Sequence, residues 1–329
     1  MQEQVRGYLA LCYHYIRPPK AQDPFPRILG TRVDGFLQHL DLFQRAYEVL
    51  SLADAWGVSY GGFSLKPDRD GLLLTFDDGL ADHYQVAQLL AERGIRALFF
   101  LPTCVLQDAL PANPTIVHYG VAAYGIGRFV ELYRAALEAQ RLPLAEHDVR
   151  FQRGQDPWAA IATVKQQLTY RLRAQDARQI LLEIYRRSLL ADDPDVLGKM
   201  HLTQPQVAEM LRLGHAIGVH SHSHVSVGSA GLAPDEFTRE VVAPKAYLEE
   251  TFGVRATAFS YPFGERQDCL SWEALLRRTT SYTLAFTVEE RMNTRQTSPF
   301  ELGRLMPMGS DTAETIYVRL QQIRQGTRP

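Results

Sequence analysis

Asp77 and Asp78 are adjacent carboxylates at the end of an apolar run, LLLTF (72–76), and Gly79 follows them. The run predicts a buried strand, which would leave both carboxylates partly desolvated at its carboxyl end. Two like charges in such a place repel each other and raise the free energy of the folded protein. A bound cation would let both stay ionised, with one carboxylate as a ligand and the other as a base.

Three histidines within five residues form a second candidate group. His220, His222 and His224 lie at the end of an apolar run that begins at His215, again where a strand would stop. This spacing can bring two or three imidazole rings around one ion, and neutral imidazole is a common ligand for zinc and similar divalent ions. Because three of the chain's ten histidines fall in this stretch, a metal site explains them better than a polar loop with histidines by chance.

A third group, FSYPFG (259–264), leads from an apolar run into Tyr261, Pro262 and Phe263. Taken alone, it predicts little more than a strand followed by a turn. Beside the two other groups, it could build an aromatic wall and offer a backbone N–H near Tyr261 to a developing oxyanion. Tyr261 and Phe263 could also stack on a sugar ring, whereas Trp272 is better explained by packing in the core.

Short apolar runs that alternate with helical patterns predict the elements that carry these groups. The runs contain little charge, as is typical of strands covered on both faces of a parallel sheet. The predicted strands span residues 8–14, 72–76, 97–103, 215–221, 256–262, 282–288 and 302–308. The predicted helices span residues 80–93, 203–213, 234–252 and 311–325. This alternation predicts an α/β barrel or an open parallel sheet, and in a barrel the three groups converge at the carboxyl ends of the strands.

Residues 107–199 break the alternation, because their pattern is helical with little strand signal. Within this segment, residues 159–172 and 177–190 predict an antiparallel helix pair, with Asp176 as the cap of the second helix. We interpret the segment as a helical insertion within a single domain that spans residues 1–329. Its function is not predicted.

The composition narrows the class of partner. The formal net charge is −2, which gives no reason to expect nucleic acid or an anionic membrane as a partner. No run approaches the ~20 apolar residues of a membrane span, and the first residues lack the features of a signal peptide, so a cytoplasmic protein is expected. Cys12, Cys104 and Cys269 are far apart and form no CxxC pair, which predicts free, buried thiols.

The residue types and the order of the three groups resemble the motifs of a known family. TFDDG (75–79), H-S-x-x-H (220–224) and FSYPFG (259–264) are similar to the first three motifs of the polysaccharide deacetylases, the NodB-homology family of carbohydrate esterases (family 4). The resemblance covers residues 70–105 and 200–310. It implies a distorted (β/α) barrel with about seven strands. It also implies a carbohydrate substrate, from which an N-acetyl group is removed by metal-assisted hydrolysis.

The resemblance also implies a role for each matching residue. Asp77 would be the general base, and Asp78, His220 and His224 would hold the metal, leaving positions open for water and the substrate carbonyl, as in catalytic zinc sites. His222 falls in the variable position between the two ligands, so it would lie behind them or at the surface. The ligand set favours Zn²⁺, with Co²⁺ or Ni²⁺ as alternatives.

Two departures from the family pattern leave roles to fill. Many members have an arginine at the position of Ser260, and that arginine braces the catalytic aspartate. In this chain we consider Arg304 as its substitute. The late histidine that serves as general acid is missing, because no histidine follows His224. His14 follows the first predicted strand and resembles the start of the poly-N-acetylglucosamine deacetylase subgroup, in which the barrel is circularly permuted. His14 is therefore the candidate acid.

Two other functions stay open. On the same fold, the enzyme could cleave a different C–N bond, such as a formamide or a cyclic amide. Alternatively, a pseudo-enzyme could bind a glycan without turnover, although a pure binding protein gains nothing from a base beside a metal ligand. Four further histidines, which we interpret as structural or surface residues, are His83, His118, His201 and His215.

Overall fold

A curled parallel sheet forms the centre of the computed structural model, which describes residues 6–66, 68–150, 154, 156–269 and 273–326. Within these residues the sheet has seven strands in the order β1-β5-β6-β7-β8-β9, with β4 paired to the first half of β5. In chain order the strands are β1 (Tyr8–Tyr13), β2 (Ile16–Arg17), β3 (Thr31–Arg32), β4 (Glu48–Leu50), β5 (Gly71–Phe76), β6 (Leu98–Leu101), β7 (Ala216–Val219), β8 (Ala258–Ser260) and β9 (Leu284–Phe286). Strands β2 and β3 form a separate pair. Six of the seven predicted strands are thereby confirmed, and the sheet is the barrel-like α/β fold expected.

Helices surround the sheet. They are α1 (Val33–Ala46), α2 (Leu52–Tyr60), α3 (Asp82–Glu92), α4 (Cys104–Gln107), α5 (Asn113–Tyr124), α6 (Ile126–Ala139), α7 (Leu144–His147), α8 (Pro157–Gln166), α9 (Ala174–Arg187), α10 (Leu189–Asp192), α11 (Val196–Met200), α12 (Gln204–Arg212), α13 (Pro234–Phe237), α14 (Ala243–Phe252), α15 (Arg266–Cys269), α16 (Glu273–Thr279) and α17 (Ala313–Gln325). A 3₁₀ turn covers Lys20–Gln22, and π-helical turns cover Gln167–Arg171 and Thr238–Val242.

The segment 302–305 links the two outer strands of the sheet. Leu302 N donates to Ala285 O of β9, and Leu305 N donates to Ala10 O of β1. The segment was predicted as a strand, but it makes only isolated bridges because Arg304 N turns to Glu289 O. A Cβ atom at position 303 would lie 2.3 Å from that same carbonyl oxygen, so only glycine fits there.

Alternation along the strands separates two apolar layers. On β1, Leu9 and Leu11 pack outward against the helices, whereas Tyr8 and Ala10 face the interior of the curled sheet. On β5, Leu73 likewise faces the interior. Successive side chains in a strand point to opposite faces. Every second residue after Ala10 and Leu73 therefore also faces the interior, and the last of these residues reach the opening of the barrel at the carboxyl ends of the strands.

The chain between β6 and β7 is helical, as predicted, and has its own apolar core. Helices α8 and α9 both pack against α6. The cap at Asp176 was wrong, because α9 begins at Ala174 and Asp176 lies in its first turn. That residues 107–199 are an insertion in a single domain stays a prediction.

Other sequence predictions can be compared with the described residues. All three cysteines are free and buried, as predicted. Among the described helices, none is both long and apolar enough to cross a membrane. Trp272 lies outside the described residues. The cytoplasmic location stays a prediction.

Candidate active site

Most of the predicted site residues meet around one pocket of about 510 Å³. One end of the pocket lies at the carboxyl ends of the strands, where His14 follows β1, Asp77 and Asp78 follow β5, and His220 follows β7. The other wall comes from the helical segment, through residues of α5, α8, α9 and the π-helical turn between α8 and α9. Most of that wall is apolar, as is typical of pockets that bind small molecules.

Asp78, His220 and His224 form a buried donor set at the base of the pocket. The Oδ1 atom of Asp78 lies 3.4 Å from His220 Nε2 and 3.2 Å from His224 Nε2. All three side chains are at least nine-tenths buried, and Asp78 Oδ1 has no hydrogen-bond partner among the described residues. A buried carboxylate oxygen without a partner is costly, and a cation shared with the two imidazoles would remove that cost.

The backbone prepares His220 to act as a ligand. Its Nδ1–H donates to Ser260 O at 2.9 Å, which leaves the lone pair of Nε2 facing Asp78. Burial lowers the pKa of His220, but the charges of Asp77 and Asp78 outweigh burial and raise it. One carboxylate oxygen and two imidazole nitrogens make a set that suits a divalent ion such as zinc, so these residues fit the implied metal.

Arg304 lies inside the barrel and contacts Asp77. Its Nη1 and Nη2 atoms donate to the two oxygens of Asp77, each at 2.8 Å. The same guanidinium donates to Thr287 O, Thr75 Oγ1 and Ser260 Oγ, so all five of its N–H groups are used. The arginine expected at position 260 by resemblance is thus replaced in space by one from another segment, and Ser260 lies between them.

The surroundings keep Asp77 ionised. Burial alone would raise its pKa, but the charge of Arg304, the nearby His220 and the hydrogen bonds from Arg304 hold the pKa well below its usual range. Asp77 Oδ2 also accepts from Ser260 Oγ at 3.0 Å and from Cys12 Sγ at 3.3 Å. A carboxylate held in this way is oriented and ionised, so it is able to accept a proton.

His14 lies beside Asp77, where the first strand was predicted to bring it. Its ring lines the pocket, and it is only half-buried. One ring nitrogen lies within 4.8 Å of a carboxylate oxygen of Asp77. The Nε2–H of His83 donates to the backbone oxygen of His14 at 2.9 Å, which fixes the backbone there. Burial lowers the pKa of His14.

The FSYPFG turn forms one side of the same pocket, and the structure narrows its role. The Tyr261 N–H donates to Phe286 O, and Pro262 has no N–H. The N–H of Tyr261 is therefore engaged, and Phe263 is the residue of the three whose N–H no described residue accepts. That this turn donates to an oxyanion stays a prediction. The Phe263 ring meets His224 edge-on, with the ring centroids 4.8 Å apart, and lines the pocket.

His222, the other candidate, lies away from the metal-binding group. Its Nδ1 is 2.9 Å from Thr103 Oγ1, and its Nε2 is 2.9 Å from Asp108 Oδ2. Its ring is absent from the described lining of the pocket. Both ring nitrogens of His222 thus have other partners, which makes His222 unsuitable as a metal ligand. Of the three histidines, His220 and His224 are the two that face Asp78.

Backbone strain is concentrated at the site. Asp78, Ser221, His224 and Phe263 have φ values of 75°, 56°, 65° and 65°, in the left-handed region that side chains disfavour. Such strain persists where the surrounding structure imposes it, and it is common at functional sites.

Two pocket residues had no motif to mark them. His118, on α5, was interpreted as structural or surface, but it lines the pocket, and Lys165 on α8 contacts it. The three other histidines of that interpretation, which are buried and outside the described lining, are His83, His201 and His215.

The comparisons with known proteins agree with this geometry. Residues 191–277 match the family model for polysaccharide deacetylase. No curated protein matches the chain. Three solved structures share the fold. The Streptococcus pyogenes deacetylase PplD in complex with acetate has 16% identity and a TM-score of 0.56, over 99% of both chains.

IcaB from Ammonifex degensii has 17% identity and a TM-score of 0.57, over 97% of this chain and 98% of that one. A de-N-acetylase from Aggregatibacter actinomycetemcomitans has 13% identity and a TM-score of 0.55, over 94% and 98%. At these identities the structural likeness establishes the fold alone. The segment that matches the family model contains His220 and His224, the two histidine ligand candidates. Together they show that the chain shares the fold of these deacetylases and that residues 191–277 are similar to the polysaccharide deacetylase family.

Proposed function

We propose that the protein is a metal-dependent hydrolase that removes an N-acetyl group from an N-acetylated sugar. One observation carries the proposal: a buried carboxylate oxygen of Asp78, without a hydrogen-bond partner among the described residues, faces two imidazole nitrogens. Asp77, held ionised by Arg304, lies directly beside this group. The match to the deacetylase family model supports the reaction class.

The residues of the chain have separate tasks in this reaction. A divalent ion held by Asp78, His220 and His224 would polarise the amide carbonyl and make water more acidic. Asp77 accepts the proton of the attacking water at a carboxylate oxygen, while Arg304 keeps that carboxylate in place. The Phe263 N–H would stabilise the oxyanion, and His14 would give a proton to the leaving amine.

The substrate is a carbohydrate under this proposal, and the poly-N-acetylglucosamine deacetylase subgroup is the likeness that the position of His14 favours. β1 lies beside the strand that carries TFDDG, so His14 reaches the pocket from the first strand of the chain. The ionised Asp77 favours an enzyme over a glycan-binding pseudo-enzyme, since binding alone needs no base.

The test is a screen for released acid over N-acylated sugars, with Zn²⁺ or Co²⁺ added. We expect acetate release that stops when a chelator removes the metal. Formate release without acetate release would instead favour the deformylase alternative. Glycan binding that survives the chelator, with no hydrolysis of any acyl sugar, would favour the pseudo-enzyme and contradict the proposal.

A further inference from the structure

A lysine of the helical segment lies in the wall of the pocket. Lys165, on α8, lines the pocket, and its Nζ lies 3.0 Å from His118 Nε2. His118 Nδ1 in turn lies 3.1 Å from the hydroxyl of the buried Tyr15. Because an ammonium group can only donate, His118 Nε2 must accept and Nδ1 must carry the proton, so Tyr15 holds this ring in the tautomer that receives Lys165.

The positive charge of Lys165 has no negative partner among the residues that the structure describes. His118 is neutral, since burial, and then the charge of Lys165, lower its pKa to about 3. Among the residues that the structure describes, no carboxylate lies within ion-pair distance of Lys165 Nζ. The side chain is exposed, yet the surrounding protein lowers its pKa by desolvation. The ammonium therefore contacts the neutral ring of His118 and has no counter-charge among the described residues.

The neighbouring polar groups are also suited to an anion. Thr169, a residue with a hydroxyl group one turn after Lys165, lines the same pocket. Asn113 lines it too; its carbonyl oxygen accepts from Arg178, and its amide N–H groups are donors. The carboxylates at the other end of the pocket have their own partners, since Asp77 is paired with Arg304 and Asp78 faces the imidazoles. Glu265, on the loop after β8, is the other acidic residue of the described lining.

We propose that Lys165, supported by His118, binds an anionic group of the substrate, so that the natural substrate is an N-acylated sugar that carries a phosphate or a carboxylate. This inference rests on the proposed hydrolase function and specifies its substrate class. Lys165 is on the helical segment, so the subsite also gives that segment a role: it selects the substrate, while the ends of the strands carry out the chemistry.

The test compares hydrolysis of matched neutral and anionic substrates. The neutral probe is methyl N-acetylglucosaminide, and the anionic probes are N-acetylglucosamine 1-phosphate and N-acetylmuramic acid, which separate phosphate from carboxylate. The variants are Lys165→Met, which removes the charge but keeps the length, and Lys165→Arg, which keeps the charge. The matched control is Lys199→Met, which changes an exposed lysine of the same segment that is paired with Asp193.

We expect Lys165→Met to lower the ratio of kcat/KM for the preferred anionic probe to that for the neutral probe by ~10- to 100-fold, the effect of losing a charge-assisted hydrogen bond. Lys165→Arg should keep most of the ratio, and Lys199→Met should keep all of it. An unchanged ratio in Lys165→Met for both anionic probes would overturn the inference while leaving the hydrolase function intact.

A binding measurement keeps the inference testable if no probe is hydrolysed. The dissociation constants of glucose 1-phosphate and of glucuronic acid are measured by calorimetry on the metal-loaded protein and its Lys165→Met variant. Weaker binding of one of them to the variant supports the anionic subsite even if the hydrolase function is wrong. If each probe binds to the protein and to its Lys165→Met variant with the same dissociation constant, the proposed subsite is contradicted.

Discussion

Arg304 donates to both carboxylate oxygens of Asp77, each at 2.8 Å, although 227 residues separate the two in sequence. Both side chains are almost completely buried, and the rings of Phe100 and Phe286 flank the guanidinium. The Arg304–Asp77 pair sets the charge and orientation of Asp77, the proposed base. Ser260 also hydrogen-bonds to Asp77, but it carries no charge, so the positive partner has to be Arg304.

Removing Arg304 should damage both stability and activity. Arg304→Met leaves the charge of Asp77 buried without its guanidinium partner, which should lower the free energy of unfolding by about 3–5 kcal/mol. Without the positive charge the pKa of Asp77 rises, so the acid limb of the kcat/KM profile should move to higher pH. Arg304→Lys should recover only part of the activity, since an ammonium cannot form the two parallel bonds. Urea denaturation and pH–rate profiles measure these effects.

The control for this prediction is Arg128→Met, which removes an exposed arginine that is paired with Glu131. An exposed pair of this kind contributes little, so the change in the free energy of unfolding should stay within about 1 kcal/mol. Equal effects of the Arg304 and Arg128 substitutions would show that the buried pair is not important for either property.

Substitution of the two adjacent aspartates should have different effects on turnover and on metal binding. Asp77→Asn should lower kcat by on the order of 10²–10⁴, the contribution of a general base, while the bound metal content stays the same. Asp78→Asn should lose the metal first, because it removes the charged ligand that faces His220 and His224. Metal analysis beside steady-state kinetics separates the two, and equal metal loss in both variants would refute the division of roles.

The proposed acid role of His14 depends on the leaving group. His14→Gln should lower kcat for an N-acetyl sugar, because the leaving amine needs a proton. It should have little effect on the hydrolysis of p-nitrophenyl acetate, whose leaving phenolate needs none. Asp77→Asn should slow both reactions. If His14→Gln slows the ester and the amide equally, His14 has a structural role in the pocket and is not the acid.

The buried His83 should make the protein less stable in mild acid. Its pKa is lowered to about 4, chiefly by burial, whereas in the unfolded chain it is near 6.5. Between these values the unfolded state binds more protons, so the free energy of unfolding falls as pH falls, by at most ~1.4 kcal/mol per pH unit. Urea denaturation from pH 7.5 to 4.5, with a chelator present, should show a shallower dependence for His83→Gln. Equal slopes would contradict this explanation.

The sequence was a good guide to the elements that bury apolar runs. Six parallel strands were predicted because their uninterrupted runs are covered on both faces. β4 was missed because Glu48 begins it and it has only three residues. The segment 302–305 was mistaken for a regular strand because its pattern does not show that Arg304 turns into the barrel.

The site was predictable where its residues are neighbours in sequence. Asp77, Asp78, His220 and His224 stand in two short motifs, so their types and spacing suggest their chemistry. Arg304 could only be a candidate, because its partner comes from a distant strand; an arginine beside a glycine in an apolar run was its one signal. Lys165 and His118 could not be found, since they are 47 residues apart, meet only in the folded chain, and no local pattern marks either.

The central claim is that Asp78, His220 and His224 hold a divalent cation at the base of the pocket. Its most direct test is an anomalous difference map, measured at the zinc absorption edge, from crystals soaked in a zinc salt. We predict a peak bounded by Asp78 Oδ1 and the Nε2 atoms of both histidines, and its loss in Asp78→Asn crystals. A map with no peak among these three side chains would contradict the account.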